Sequence, residues 1–317
     1  MLDSAALVAT DDEGLLAFLY LKPEHNEPIQ LLDGALSATP RMKIGTLKIS
    51  ERSRGDRLGE GAMGMALWQW RDSGLPDVYI TVFEKHAQLI AILRKFGFRR
   101  TGQKANGESV YIKTRACLSY ETPYESFPFI DPGFPEASIL AVEQGYHDQL
   151  FPYSELARTP QEVMRVAAGN GVTKVYVGHA RQMAARSGYP VLIYRKFMGE
   201  GKAFKSVVTS YGAVTDVRQF KRDGQILLPC EEYRELVKNK SVFDEVDLDG
   251  HWISRDLVVV ELVYLGYFGQ GHNVNWVWLK NNGLWKDSHP NQVRYTPGEF
   301  FSILQGGGVN RENAIVG

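Results

Sequence analysis

The chain has 317 residues, 44% of them hydrophobic and 23% charged, with 36 Lys+Arg against 37 Asp+Glu, so no global basic field pulls it onto nucleic acid or an anionic membrane. The length favours two domains over one, and the two cysteines, Cys117 and Cys230, are too far apart for a metal-ligand spacing and imply no disulfide framework. The acidic opening MLDSAALVATDDEG lacks the basic start and apolar core of a signal peptide, and no apolar run reaches about 18 residues, so a cytoplasmic protein with no membrane span is expected.

Strands are predicted at Leu15–Leu21, Ile29–Leu32 and Met42–Ser50, then a helix from Gly61 to Ser73. Val78–Phe83 alternates with period two, Ala87–Phe96 is helical, and Ser109–Lys113 is a further strand. Strands alternating with helices indicate an α/β domain over residues 1–118. The stretch YETPYESFPFIDPGFPEAS, rich in proline and aromatics, reads as an extended connector over 119–136. Residues 137–317 are strand-rich, with strands predicted at Ser138–Val142, Lys174–Val177, Val191–Lys196, Ser206–Val217, Leu257–Gly266 and Val274–Leu279. Short helices are predicted at Pro160–Ala168, His179–Ser187, Cys230–Lys238 and Pro297–Leu304, and the mixture suggests a curled sheet or small barrel.

The segment RGDRLGEGAMG, Arg54 to Gly64, joins a strand to a helix. A helix N-terminus carries unpaired N–H groups and a positive dipole end, which attract anions. Gly59 and Gly61 remove side chains where a phosphate would approach, and Arg57 adds a charge-assisted contact. The segment is not a Walker loop, because no Gly-Lys-Ser/Thr follows, and it lacks the third glycine of a dinucleotide fingerprint.

With the following DVYITVFEKHAQLIAILRKFGFRRTG, which reads strand, helix and Phe-Gly-Phe, the order over residues 14–115 resembles the GNAT acetyltransferase superfamily. In that family a central strand leads into an Arg/Gln-x-x-Gly-x-Gly/Ala loop that holds the pyrophosphate of acetyl-coenzyme A. Here the loop is read as Asp56-Arg57-Leu58-Gly59-Glu60-Gly61-Ala62. The resemblance implies a pyrophosphate cradle of amides from Arg57 to Ala62, that is Arg57, Leu58, Gly59, Glu60, Gly61 and Ala62. It implies that Leu47, Lys48 and Ile49 pair with the pantetheine arm, and that His86 stands near the family's common asparagine. The acetyl group would sit where two strands diverge, polarised by a peptide N–H. Glu84 and Tyr111 are the candidate catalytic side chains, with Tyr79 also near the cleft. The chain departs from the family in three places: Asp56 fills the Arg/Gln slot, Leu93 fills the slot of a tyrosine acid, and about 13 residues precede Leu15. The last leaves the acceptor side open, or covered by another chain or by the second domain.

In the second segment, SGYPVLIYRKFMGEGKAFKSVVTSYGAVTDVRQF with its flanking pieces is similar to PUA-like barrels of the ASCH and EVE group, which commonly bind RNA or a modified base. Arg195, Lys196, Lys202, Lys205, Arg218, Lys221 and Arg222 cluster in sequence around two strands, with Arg195, Lys196, Lys202 and Lys205 the candidate nucleic-acid contacts, and Trp252, Tyr267, Trp276 and Trp278 could stack on a base, Trp276 foremost. His251 and His272 flank strands, but no Cys or acid stands at ligand spacing, so no metal is expected. The resulting fold class is an α/β GNAT-like mixed sheet followed by a strand-rich α+β PUA-like barrel. The resemblance implies an N-acetyltransferase using acetyl-CoA, with the second domain selecting an RNA, nucleotide or protein acceptor. The alternatives are an inactive CoA- or nucleic-acid-binding protein, or one subunit of a toxin-like or defence system completed by a partner chain.

Overall fold

The computed structural model describes residues 3–53, 55–152, 154, 167–286 and 288–316. The chain divides into two compact units, with the boundary at Pro128/Phe129. No helix among the described residues is long and apolar enough to cross a membrane.

The first unit comprises β1 (Ala5–Asp11), β2 (Gly14–Glu24), β3 (Ile29–Leu31), β4 (Gly34–Leu36), β5 (Arg41–Ile49), α1 (Leu58–Ser73), β6 (Asp77–Val82), α2 (Ala87–Lys95), β7 (Arg99–Gln103), β8 (Ser109–Thr114) and α3 (Pro123–Ser126). Its six-stranded mixed sheet runs β1-β2-β5-β6-β8-β7, with β5 and β6 parallel and the other neighbours antiparallel. β1 was not expected: the Asp12–Glu13 turn folds Ala5–Asp11 back onto β2, pairing Asp11 with Gly14. Helix α1 buries Met63, Ala66, Leu67 and Trp70, the stripe that the i, i+3, i+4, i+7 spacing requires. It starts at Leu58, three residues before the predicted Gly61.

The opposite face of β6 and β8 is covered by the β3–β4 hairpin. Ile29, Leu31 and Leu36 pack on Tyr79, Val110 and Ile112. Leu32 N donates to Gln103 O at 2.8 Å, which ties the hairpin to β7. The first half of the connector belongs to this unit, where Phe127 packs on Phe96 at 5.3 Å and on Trp68 at 6.1 Å.

The second unit comprises β9 (Ala137–Glu143), α4 (Gln144–Leu150), α5 (Ala167–Asn170), β10 (Thr173–Gly178), β11 (Pro190–Lys196), α6 (Lys202–Lys205), β12 (Val207–Arg222), β13 (Gln225–Ile226), α7 (Cys230–Val237), α8 (Glu245–Ile253), β14 (Leu257–Tyr267), β15 (Val274–Asn275), α9 (Trp276–Asn281), β16 (Arg294–Tyr295), α10 (Pro297–Gly306) and α11 (Arg311–Ala314). The sheet runs β10-β14-β12-β11-β9-β16, with β13 and β15 paired to β12. The 16-residue β12 is its spine, and register shifts against β14 at Tyr211/Gly212, Val214/Asp216 and Gln219/Lys221 bend it. Helices α7 and α8 bury Tyr233, Val237 and Leu248 against Val175, Phe220 and Val259.

Two predicted elements in this unit are corrected. Val274–Leu279 is a strand for two residues only, because the Asn275 side chain accepts from Trp278 N at 2.8 Å and caps a helix. His179–Ser187 is not helical, because tertiary hydrogen bonds take its backbone: Ala184 N donates to Asn291 O at 2.8 Å, and Ala180 O accepts from Gln219 Nε2 at 3.3 Å. The helix expected at Pro160–Ala168 falls for its greater part outside the described residues.

Candidate functional site

In the first unit the decisive geometry lies between β5 and β6. Their parallel ladder covers only Arg41↔Asp77 to Ile44↔Ile80. Beyond it β6 continues against β8 as far as Val82, while β5 continues against β2 as far as Ile49. The two strands therefore part after Ile44 and Ile80. A bulge marks the point, since Tyr20 faces Thr46, Leu21 faces Ile44, and Gly45 is the extra residue. Ser50 N donates to Leu16 O at 2.8 Å. An antiparallel ladder alternates, so Lys48 and Thr46 bond to β2, and the main-chain groups of Leu47 and Ile49 turn to the gap. Of the three residues expected to pair with a pantetheine arm, Leu47 and Ile49 offer main-chain partners there and Lys48 does not.

The loop after β5 delivers a helix terminus. Arg57 caps α1 in the left-handed region, φ 59° and ψ 15°, without a side-chain cap bond. Gly61 N donates to Arg57 O at 3.1 Å, the first bond of the helix. The amides of Leu58 and Gly59 thus open the helix with no acceptor inside it, while those of Gly61 and Ala62 are spent within it. This narrows the expected cradle to the amides of Leu58 and Gly59. The left-handed backbone of Arg57 is one that a glycine adopts most readily. A Cβ added at Gly59 would lie 3.6 Å from Ile92 Cδ1 and 3.9 Å from Ile49 Cγ1, so this first turn faces the end of β5 and helix α2. The Glu60 carboxylate pairs with Arg57 at 2.5 Å and with Lys95 at 3.7 Å, which offsets its charge beside the anion-attracting turn.

The remaining candidates separate. The Glu84 carboxylate accepts from Ser109 Oγ at 2.7 Å and lies 3.5 Å from Arg100 Nε, which holds it on the β8 side of β6, away from β5. Tyr111 pairs with Ile80, where the strands part; it is fully buried, and its hydroxyl has no hydrogen-bond partner among the described residues. His86 opens α2 through its backbone only and is exposed. Leu93 is fully buried core. Sequence reasoning missed Glu24, which accepts from Tyr79 Oη at 2.5 Å and pairs with Lys43 at 3.3 Å and Lys22 at 3.4 Å. Burial pushes the Glu24 carboxyl up, but the Tyr79 hydroxyl and Lys43 outweigh it and hold the group below the usual range; burial and Glu24 push the Tyr79 phenol far up. No local motif announces this cluster, because β2, β5 and β6 bring it together.

The second unit contains a cavity of about 830 Å³ walled by Tyr146, Tyr176, Tyr194, Phe197, Trp276 and Trp285. Lys196 and Lys202 line it, as does Trp276, whereas Lys205 sits over the Phe197 ring at 4.8 Å. Arg195 is withdrawn from the candidate contacts: it is buried and grips both Asp148 oxygens at 2.7 and 2.8 Å. Burial works to raise the Asp148 carboxyl, and Arg195 and His147 overcome it and hold it at about 2. His147, also buried, joins Asp148 at 2.9 Å to Thr209 at 2.8 Å. Trp252 stacks on Tyr233 and Trp278 packs on Gly306, so neither lines the cavity. His251 meets His179 at 2.8 Å rather than His272, at the cavity wall, and burial pushes both imidazoles down.

No family model and no curated protein matches the chain. Solved structures similar to its first part include the PaiA N-acetyltransferase from Thermoplasma acidophilum in complex with coenzyme A, at 17% identity over 36% of this chain and 62% of that one, with a TM-score of 0.29. Nourseothricin acetyltransferase is 22% identical over 35% of this chain and 63% of that one, with a TM-score of 0.27. The chain thus spans less than two thirds of the length of these acetyltransferases. The other part is similar to the ASCH protein from Zymomonas mobilis, at 9% identity over 53% of this chain and 94% of that one, with a TM-score of 0.35.

Proposed function

We propose that the first unit binds acetyl-coenzyme A between β5 and β6 and passes the acetyl group to an amine, and that the second unit selects the acceptor, an RNA, a nucleotide or a protein. The observation that carries the reading is the parting of β5 and β6 after Ile44 and Ile80, beside the helix terminus at Leu58 and Gly59. Those two amides and the dipole of α1 hold the pyrophosphate. The main chain of Leu47 and Ile49 takes the pantetheine arm as an added strand, which fixes the thioester in the gap. When bound, acetyl-CoA supplies an activated acyl group whose carbonyl carbon takes the amine while the thiolate leaves. A main-chain N–H of β5 in the gap polarises that carbonyl, and the Tyr111 hydroxyl is the buried proton donor nearest in register. Glu84, tied to Ser109, is not assigned the base, and positioning supplies most of the rate.

Calorimetric titration with acetyl-CoA tests the reading on wild type, Gly59→Ala and Gly59→Asp. A Cβ at Gly59 makes only ordinary contacts, and an acid in the first helical turn suits the dipole, so both variants fold. Binding by wild type and Gly59→Ala with loss in Gly59→Asp is expected; absence of binding by wild type overturns the proposal. The buried Leu93 in the tyrosine slot favours a second reading, a coenzyme binder without transfer. Thiol release with a panel of amines separates the two, and under the main reading Tyr111→Phe lowers kcat with acetyl-CoA affinity unchanged.

A further inference from the structure

Two clefts of about 410 and 480 Å³ open in the second unit, each within the size range of small-molecule sites, about 300–1,000 Å³. Arg181, Gln182 and Arg222 line both, so the clefts share a wall. Arg186 and Arg294 line the first only, and Gln292 the second only. These residues come from the loop after β10, the last residue of β12, the first of β16 and the turn before it. Sequence does not cluster them; the sheet does.

Their charges are only partly answered. Arg181 pairs with Asp223, and Arg294 lies 3.5 Å from Glu136, but neither acid lines a cleft. The Arg186 guanidinium donates to the carbonyls of Met183 and Ala185, at 3.1 and 3.3 Å, and has no carboxylate partner among the described residues. The Arg222 guanidinium is exposed and has neither an ion-pair nor a hydrogen-bond partner among them. Like charges gathered around one groove repel one another, and an anion that enters it turns that repulsion into attraction.

Three features of the clefts select the anion. No Asp or Glu among the described residues lines either one, so nothing there opposes a dense negative charge. Each guanidinium fork suits two phosphate oxygens, and a phosphate monoester brings about −1.5 to −2 charges where a carboxylate brings one. No aromatic ring lines either cleft, so a nucleobase finds no stacking surface in them. The shared wall of Arg181 and Arg222 places two anion sites side by side, with the glutamine amides as neutral donors. We infer that the paired clefts bind a small molecule carrying two or more phosphate groups. An inorganic polyphosphate and a doubly phosphorylated sugar present this same chemistry. The site lies wholly within the second unit and stands apart from acetyl transfer.

The full-length chain, without coenzyme, is titrated by calorimetry at fixed ionic strength with tripolyphosphate, fructose 1,6-bisphosphate and orthophosphate. At least one of the first two binds at one equivalent per chain and about tenfold or more tighter than orthophosphate, and the tighter of them identifies the source. Arg222→Gln weakens that ligand by about tenfold or more, the loss of one charge-assisted contact. Lys238→Gln makes the same change in net charge at a residue that lines neither cleft, and leaves the affinity unchanged. Both positions are exposed, and melting curves check that the variants fold. No binding of either probe, an affinity no better than that of orthophosphate, or equal losses in the two variants would overturn the inference. So would displacement of the bound probe by an equal phosphate concentration of a single-stranded RNA of about 12 nucleotides, which would make the occupant a nucleic acid.

Discussion

Lys113 is the most exacting test of the first unit. It stands on β8 with 2% exposure, and its Nζ donates to Phe96 O at 2.6 Å and Glu125 O at 2.7 Å. Burial pushes its ammonium down to about 7. The unfolded chain holds that proton up to about pH 10.4, so between the two values the unfolded state binds more protons and stability rises with pH. Linkage gives a gain of about 2–3 kcal/mol between pH 7.5 and 9.5, and on the order of 5 kcal/mol over the whole window. Lys113→Met removes this dependence and leaves two carbonyls unpaired, at about 1–3 kcal/mol each. Near pH 7.5 that loss roughly offsets the relief of the buried amine, so the variant is close to wild type; at pH 9.5 it falls behind by about 2–3 kcal/mol. Urea unfolding at both pH values, followed by circular dichroism, measures the double difference. Parallel pH profiles for the two proteins would refute the argument, because the amine would then be solvated.

In the second unit, a Cβ at Gly212 would stand 2.5 Å from Val263 O and 2.9 Å from Leu262 Cδ1, so Gly212→Ala is expected to cost about 3 kcal/mol in urea or to prevent soluble expression. Asp148→Asn breaks the grip on Arg195 and the bond to His147, and is expected to cost about 3 kcal/mol at neutral pH. With its folded pKa held at about 2, Asp148 contributes stability present above its unfolded value near 3.9 and lost as the pH falls toward 2; the variant's melting temperature therefore declines less over that window.

The order of strand, loop, helix and strand through β5 to α2 was legible because apolar periodicity carries it. The exact start of α1 was not. Gly59 and Gly61 lower helix propensity and read as loop, yet Met63, Leu67 and Trp70 bury a stripe that outweighs two glycines, and Arg57 accepts a left-handed backbone to begin it. That shift of three residues decides which amides are open, so the cradle read over Arg57 to Ala62 took in Gly61 and Ala62, whose amides the helix uses, alongside Leu58 and Gly59. Val274–Leu279 failed for a related reason: alternating apolar and aromatic residues fit a strand, and a single Asn275 side chain turned them into a helix. The misreading of Arg195 has a different cause. A strand-end arginine reads as a phosphate contact until the fold brings Asp148, 47 residues away, against it.

Under the proposed acetyl transfer, the wall over one face of the first sheet constrains how the amine approaches. The residues described before β2 form β1 and its turn, and the sequence reading left this face open, or covered by another chain or by the second domain. The chain instead inserts its own hairpin between β2 and β5, and lays Ile29, Leu31 and Leu36 over β6 and β8. The hairpin closes the half of the face beneath Tyr79, whereas the β1 half keeps Val8 at 56% and Leu15 at 42% exposure. Under that proposal, an amine attacking from this face comes in over β1, β2 and β5, where Thr46 and Lys48 are exposed. Bulky substitutions at Thr46 therefore test acceptor access separately from coenzyme binding: Thr46→Trp is expected to raise KM for the acceptor and leave acetyl-CoA affinity intact, and an equal loss of both would place the acceptor elsewhere.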